Sequence, residues 1–169
     1  GPNGAGKSTA MKALFGLLPI KNGKVIFNGE DITSLPPQKR VLKGMGFVPQ
    51  TNNIFPSLTV QENLEMGAFI DKNNLNEMLK YVYDLFPVLA DKKSQNAGEL
   101  SGGQRQQVAV GRALMTKPKV LMLDEPSAGV SPIIMEGLFD KIQEIASQGT
   151  AVLMVEQNAK QALNISNLG

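Results

Sequence analysis

The chain opens on Gly1-Pro2-Asn3-Gly4-Ala5-Gly6-Lys7-Ser8-Thr9, which follows the pattern G-x-x-x-x-G-K-[ST]. Glycines at 1, 4 and 6 permit backbone dihedrals closed to other residues, so that successive N–H groups point at phosphate oxygens. In this pattern Lys7 brings a charge to the β/γ-phosphates, and the Ser8 hydroxyl is suited to ligate Mg²⁺. Asn3, Gly4, Ala5, Gly6, Lys7, Ser8 and Thr9 are therefore candidate contacts to a nucleoside triphosphate. A helix is expected to start at the end of the loop, its dipole facing the anion. Met11, Leu14, Phe15 and Leu18 would form the buried stripe of that helix. Such a loop ordinarily follows a buried strand, and none precedes it here. With no initiator methionine either, the sequence reads as part of a longer protein cut at both ends, Asn167-Leu168-Gly169 being the second interruption.

The 169 residues suffice for one sizeable core, and 42% hydrophobic with 19% charged residues is ordinary for a globular domain. A formal net charge of +2 is too small to argue for a nucleic-acid partner. Lys39, Arg40, Lys43 and the Lys92-Lys93 pair are expected on solvated faces. Cysteine and histidine are both absent, which excludes disulfides, thiol nucleophiles, Cys/His metal sites and a Ser-His-Asp mechanism within these residues. Proton transfer then falls to carboxylates or water. No apolar run approaches the ~20 residues of a membrane-spanning helix and no signal-peptide pattern is visible, so neither crossing nor export is expected.

Along the chain, Lys24 to Phe27 reads as a strand before an Asn28-Gly29 turn, and Met45 to Val48 as another ending at Pro49; both are expected in a sheet. From Leu58 to about Leu89 the pattern is helical, with Leu75, Met78, Leu79, Val82 and Leu85 at three- and four-residue spacing, suggesting a helical insertion over about 58–100. Ser101 to Met115 is a further predicted helix. Val120 to Leu123 is an apolar run suited to a central strand. Ser131-Pro132 reads as a helix start, with Ile134, Leu138, Ile142 and Ile145 on one face and Gly149 at the end. Ala151 to Val155 is a predicted buried strand, and Gln157 to Ile165 a final helix. The alternation predicts one α/β domain over 1–169, with a three-layer, mostly parallel sheet, a helical insertion and a small β part.

Two segments carry chemistry. Val120-Leu121-Met122-Leu123-Asp124-Glu125 ends an apolar strand in two carboxylates, at the edge where open α/β sheets hold ligands. Asp124 is the candidate Mg²⁺ ligand, and Glu125 the candidate to polarise an attacking water. A phosphate loop alone leaves GTPases, kinases and ATPases open; the acid pair narrows this to hydrolysing ATPases. Leu100-Ser101-Gly102-Gly103-Gln104 places two glycines and a hydroxyl at a helix start, a second anion site without a lysine.

From these segments the chain resembles the ATP-binding-cassette ATPases over essentially its whole length: the phosphate loop, the Leu100–Gln104 signature, the acid strand 120–125 and Glu125 to Ser131 all match. The resemblance implies a P-loop fold and a head-to-tail dimer, homo- or heteromeric, that sandwiches two ATPs. Ser101, Gly102, Gly103 and Gln104 would act on the partner's nucleotide. Gln50 matches the family's glutamine loop, implying contact with Mg²⁺ and water and relay to the helical insertion. Val155-Glu156-Gln157-Asn158-Ala159, with Glu62-Asn63-Leu64 and Ser127-Ala128-Gly129, is similar to the ATPase subunits of branched-chain amino-acid importers that carry glutamine at the switch position. There Gln157 would donate to the γ-phosphate without charge or exchangeable proton, leaving Glu125 as the base. Gln50 departs from that subgroup, which often has glutamate.

The implied protein is an ATP-hydrolysing importer subunit bound to transmembrane permease subunits at the cytoplasmic face of a membrane, for branched-chain or other hydrophobic amino acids. The rivals are a soluble cassette ATPase acting on DNA or ribosomes, a subunit for another substrate, and a non-catalytic interaction subunit. Residues 10–99 hold no sustained heptads of the kind DNA-repair relatives insert, and no nucleic-acid partner is expected. Asn53-Ile54-Phe55-Pro56-Ser57-Leu58 gathers apolar residues on a surface connection, read either as a permease docking site or as a hinge packed on the insertion. Met45, Met66, Met115, Met122 and Met154 are expected as core fillers.

Overall fold

The computed structural model describes residues 6–70 and 72–167. Gly6 takes φ 76°, a left-handed turn open to glycine, and α1 (Lys7–Phe15) starts directly after it. A second left-handed residue, Gly16, ends α1, so Leu18 falls beyond the helix and is 38% exposed. Met11 and Phe15 are the buried members of the expected stripe. The Asn28-Gly29 turn, with both residues at positive φ, closes a short antiparallel hairpin of β1 (Ile26–Phe27) and β2 (Glu30–Asp31). The strand expected from Lys24 is thus shorter and belongs to its own two-stranded sheet.

After α2 (Pro37–Leu42) comes β3 (Met45–Val48), then a helical stretch of α3 (Val60–Gly67), α4 (Leu75–Leu85) and α5 (Pro87–Asp91). Thr59 caps α3 in a reciprocal box with Glu62. The ends of this stretch meet: Val60 N–H donates to the Gln95 carbonyl at 3.0 Å, and Ala97 N–H to Leu58 at 2.9 Å. At Gly67 an added Cβ would stand 2.2 Å from the Arg112 carbonyl, so glycine lets α3 lie against α6 (Gly102–Leu114).

The main sheet is parallel, with order β3-β4-β5, where β4 is Val120–Asp124 and β5 is Ala151–Val155. Between them runs α7 (Pro132–Ser147), and α8 (Ala159–Ile165) follows. Alternation sorts β4: Leu121 and Leu123 face a core with Val108, Leu138, Ile142 and Ile145, while Met122 faces a second core with Met11, Phe15 and Ile32. The sheet therefore lies between α1 on one side and α6 with α7 on the other, giving the three layers. Phe15 stacks on Phe47 with centroids 5.0 Å apart, fastening α1 to β3.

Other expectations are corrected. β5 is not a fully buried strand, since it pairs only with β4 among the described residues, and Leu153 is 42% exposed. Ile134 stands at 40% exposure while Leu138, Ile142 and Ile145 are buried as expected. Met66 is exposed because α3 turns it to the surface, whereas Met45, Met115 and Met122 fill core. Arg40 is not solvated: α2 turns it inward, to 1% exposure, against main-chain carbonyls.

Candidate functional site

Gly1 to Ala5 lie outside the described residues, so the described part of the phosphate loop is Gly6 to Thr9. The first turn of α1 presents Lys7 and Ser8 at its N-terminus, where the helix dipole favours an anion. Ser8 Oγ donates to Asp124 Oδ1 at 2.7 Å, across 116 positions of sequence. Asp124 is 2% exposed and ends β4. The loop and the acid strand thus meet at one point. That pair, a hydroxyl and a carboxylate with no nitrogen or sulfur ligand, fits a hard cation such as Mg²⁺.

Glu125 follows in a left-handed conformation, φ 48°, unusual for a residue with a side chain. Its N–H donates to the Val155 carbonyl at 2.8 Å, and its carbonyl accepts from Ala128 N–H at 3.0 Å. Strain of this kind costs of order 1–3 kcal/mol and persists where surrounding bonds fix it. The effect is to turn the buried Glu125 side chain out of the β4 direction, and there Gln157 Nε2 donates to Glu125 Oε2 at 2.8 Å. Oε1 is left without a hydrogen bond among the described residues.

Ser8, Asp124, Glu125 and Gln157 are thus joined through two contacts and one peptide link. Gln50 is exposed beyond the end of β3 and makes no hydrogen bond to any of them. The signature is also apart. Ser101 caps α6, its hydroxyl accepting from Gln104 N–H at 3.3 Å and its N–H donating to Gln104 Oε1 at 3.1 Å. Gly102 packs on the turn after Glu125 and Gly103 on α7: an added Cβ would meet the Gly129 carbonyl at 3.1 Å from Gly102, and Ile134 at 2.3 Å from Gly103.

Three residues important to this geometry carry weak sequence signals. Glu156 is 4% exposed and grips Ser127 through main chain and hydroxyl, at 2.9 and 2.7 Å. Asn53 donates to the buried Gln106 Oε1 at 2.9 Å, tying the connection after Gln50 to α6. Arg112 lies 4.9 Å over the Phe55 ring, and burial lowers its pKa from the usual guanidinium value. Phe55, Met66, Phe69 and Arg112 line a largely apolar groove of about 250 Å³ beside β3. Ile54 packs on the core whereas Phe55 is 44% exposed, so the segment divides between hinge and surface.

The ABC transporter family matches residues 1–128. The chain is 46% identical over 169 residues to a probable branched-chain amino acid transport ATP-binding protein, LivF, of Archaeoglobus fulgidus, covering 99% of this chain and 72% of that one. It is 44% identical to the high-affinity branched-chain amino acid transport ATP-binding protein BraG of Pseudomonas aeruginosa, with the same coverage. Among solved structures, the ADP conformation of an ATP-binding cassette of an ABC transporter matches with TM-score 0.83 and 34% identity, covering 97% of this chain and 70% of that one. No described helix is long and apolar enough to cross a membrane. A nucleotide loop meeting an acid strand, in a chain of this likeness, makes the protein a member of the ABC transporter family, an ATP-binding and ATP-hydrolysing subunit.

Proposed function

We propose that the protein powers import of branched-chain or other hydrophobic amino acids by hydrolysing ATP on a permease. The observation that carries the hydrolytic site is the Ser8–Asp124 contact beside the Glu125–Gln157 pair. Likeness to LivF and BraG supports the substrate class. Residues 58–100 form its helical subdomain, an assignment supported by the pairing of 58–60 with 95–97.

In this reading Gly6, Lys7, Ser8 and Thr9, with Asn3, Gly4 and Ala5 before them, hold the phosphates of ATP. Ser8 and Asp124 hold Mg²⁺, with Gln50 closing in once nucleotide binds. The ion, when present, neutralises charge developing on the phosphate oxygens. Glu125 Oε1 orients the attacking water and takes its proton, while Gln157 Nε2 holds Oε2 in place. Transfer is in line and largely dissociative, so positioning and electrostatics do most of the work. Ser101, Gly102, Gly103 and Gln104 of a second ATPase subunit complete the site in trans, a role that the exposure of Ser101 at the start of α6 supports.

In this reading the apolar groove holding Phe55 is the permease dock, and the protein works peripherally on the cytoplasmic face of the membrane; the exposure of Phe55 beside that groove supports the dock. Gln50 and Phe55 share one connection, braced by Asn53 on α6, so nucleotide state and dock are mechanically close. Replacing Phe55 with Ala is expected to leave the basal ATPase rate of the subunit within about twofold while removing most of its stimulation by permease. Reconstituted full-length protein, assayed for ATP turnover and uptake of leucine, isoleucine and valine, tests both halves. Stimulation by DNA or ribosomes instead of permease would overturn the transport reading, and undiminished coupling in the Phe55 variant would overturn the dock.

Gln157 also makes a pH prediction. A carboxamide has no proton to exchange near neutrality, so this position adds no limb to the pH profile of turnover between about pH 6 and 8. Gln157→His introduces a group titrating near ~6.5, and the adjacent Glu125 carboxylate favours its charged form, shifting it upward. The variant is expected to gain a limb in kcat at or above that pH. Superimposable profiles would place Gln157 outside the catalytic centre.

A further inference from the structure

We propose that Glu156 is a positioning residue for hydrolysis, a carboxylate clamp that fixes Gln157 and the turn after Glu125 in one arrangement. The proposal rests on the reading of Glu125 and Gln157 given above. Asp124 and Val155 are paired at the last rung of the β4–β5 ladder. Beyond it the strands part: Glu125 takes its left-handed turn, and Glu156 remains buried. Glu156 spans the gap that opens. Oε1 accepts from Ser127 N–H at 2.9 Å, and Oε2 accepts from the Ser127 hydroxyl at 2.7 Å and from Gln157 N–H at 3.2 Å.

Those bonds close a ring. Chain from Glu125 to Ser127, the clamp from Ser127 to Glu156, the peptide to Gln157 and the 2.8 Å bond from Gln157 Nε2 to Glu125 Oε2 return to the starting residue. Rotation of the Glu125 carboxylate is therefore restrained from both ends. Among the described residues Glu156 forms no ion pair; its compensation consists of neutral donors. A buried charge without a cation is an expensive way to hold a turn if stability alone is the purpose. Its return is geometric, because a full carboxylate accepts from two separate segments at once. Beyond Ser127 the same turn reaches the Gly129 carbonyl, which packs on Gly102 of the signature, so the clamp also links the carboxylate to the surface facing the second nucleotide.

The test uses the full-length subunit with its permease, and ATP as the probe. Glu156→Gln keeps the shape but turns an amide N–H₂ toward donors. It is expected to lower kcat at least tenfold while leaving the KM for ATP within about threefold, the signature of a lost arrangement rather than lost binding. Hydrogen exchange without nucleotide should show lost protection at the Ser127 and Gln157 amides, and Glu156→Asp, which keeps the charge, should recover part of kcat. Ser127→Ala removes one bond only and decides the matter if Glu156→Gln does not fold: kcat should fall about threefold, again without a change in KM. A folded Glu156→Gln whose melting temperature drops but whose kcat is parental, or an unaffected Ser127→Ala, would show a merely structural carboxylate. Glu125→Gln measured alongside separates the two readings. Full turnover there removes the base assignment, whereas arrest there with parental kcat in Glu156→Gln removes the clamp alone.

Discussion

Glu125→Gln is expected to lower ATP turnover by roughly 10²–10⁴-fold, the range over which a positioned general base contributes, while ATP still binds. Three features separate these effects. In the proposed site the phosphates are held by the loop and the start of α1, which this substitution does not touch. The Ser8–Asp124 contact lies one residue away and depends on a different carboxylate. A carboxamide fills the same volume in the buried pocket and can still face Gln157, so the left-handed turn and its bonds to Val155 and Ala128 persist. What disappears is the capacity of Oε1 to take a proton. With no histidine in the chain and a carboxamide at 157, no neighbouring group substitutes for it. Single-turnover hydrolysis and nucleotide affinity, measured on the same preparation, check both parts. Turnover within fivefold of parent would assign the proton to water or phosphate itself.

The meeting of the loop with the acid strand is legible because each is written in a contiguous segment. A phosphate loop and an acid strand are each local patterns with fixed roles, so Ser8 and Asp124 were foreseeable as partners although 116 positions separate them. Gln157 was foreseeable only through family likeness, since a lone glutamine after a strand has no pattern of its own. Glu156 enters the sequence reading only as a member of the run Val155 to Ala159, with no role of its own. An acid beside a polar residue at a strand end reads as solvated, and only the three-dimensional meeting of Ser127 with β5 turns it into a buried clamp. Periodicity located the helices well but misjudged their limits. Gly16 stops α1 before Leu18, and the exposure of Leu153 depends on what pairs with β5, which hydrophobicity along the strand cannot reveal. Met66 was misassigned because α3 shows one face to the core and another to the groove.

Arg40 is the residue that sequence reading misplaced most, and its replacement is expected to produce the largest loss of stability. Between Lys39 and Lys43 it has the look of a solvated charge, yet α2 turns it to 1% exposure. Its guanidinium donates to four main-chain carbonyls: Nε to Leu35 at 2.8 Å, Nη2 to Thr33 at 2.9 Å, and Nη1 to Leu14 at 2.6 Å and Ala13 at 3.3 Å. The last two belong to the final turn of α1, where Ala13 also accepts from Gly16 N–H at 3.0 Å while Leu14 relies on Arg40, and where the helix dipole favours a cation. One side chain therefore closes the helix carrying Lys7 and Ser8 and joins it to the segment from Thr33 to Leu35. Arg40→Met retains apolar bulk but leaves the Leu14, Thr33 and Leu35 carbonyls dry and without their donor, Ala13 keeping its bond from Gly16 N–H; with hydrogen bonds to charged groups contributing about 1.5–3 kcal/mol each and non-additively, a loss of about 3–5 kcal/mol is expected. For a domain of this size that corresponds to a fall in melting temperature on the order of 10 °C. Arg40→Lys should lose less, because its ammonium keeps the charge and can still reach some of the carbonyls, though not all of those spread around the edge of the planar guanidinium. Thermal unfolding of the two variants beside the parent orders the cases. A change below about 2 °C in Arg40→Met would mean that water satisfies the carbonyls as well as the guanidinium does, and that α1 is held by the Phe15–Phe47 stack and its core instead.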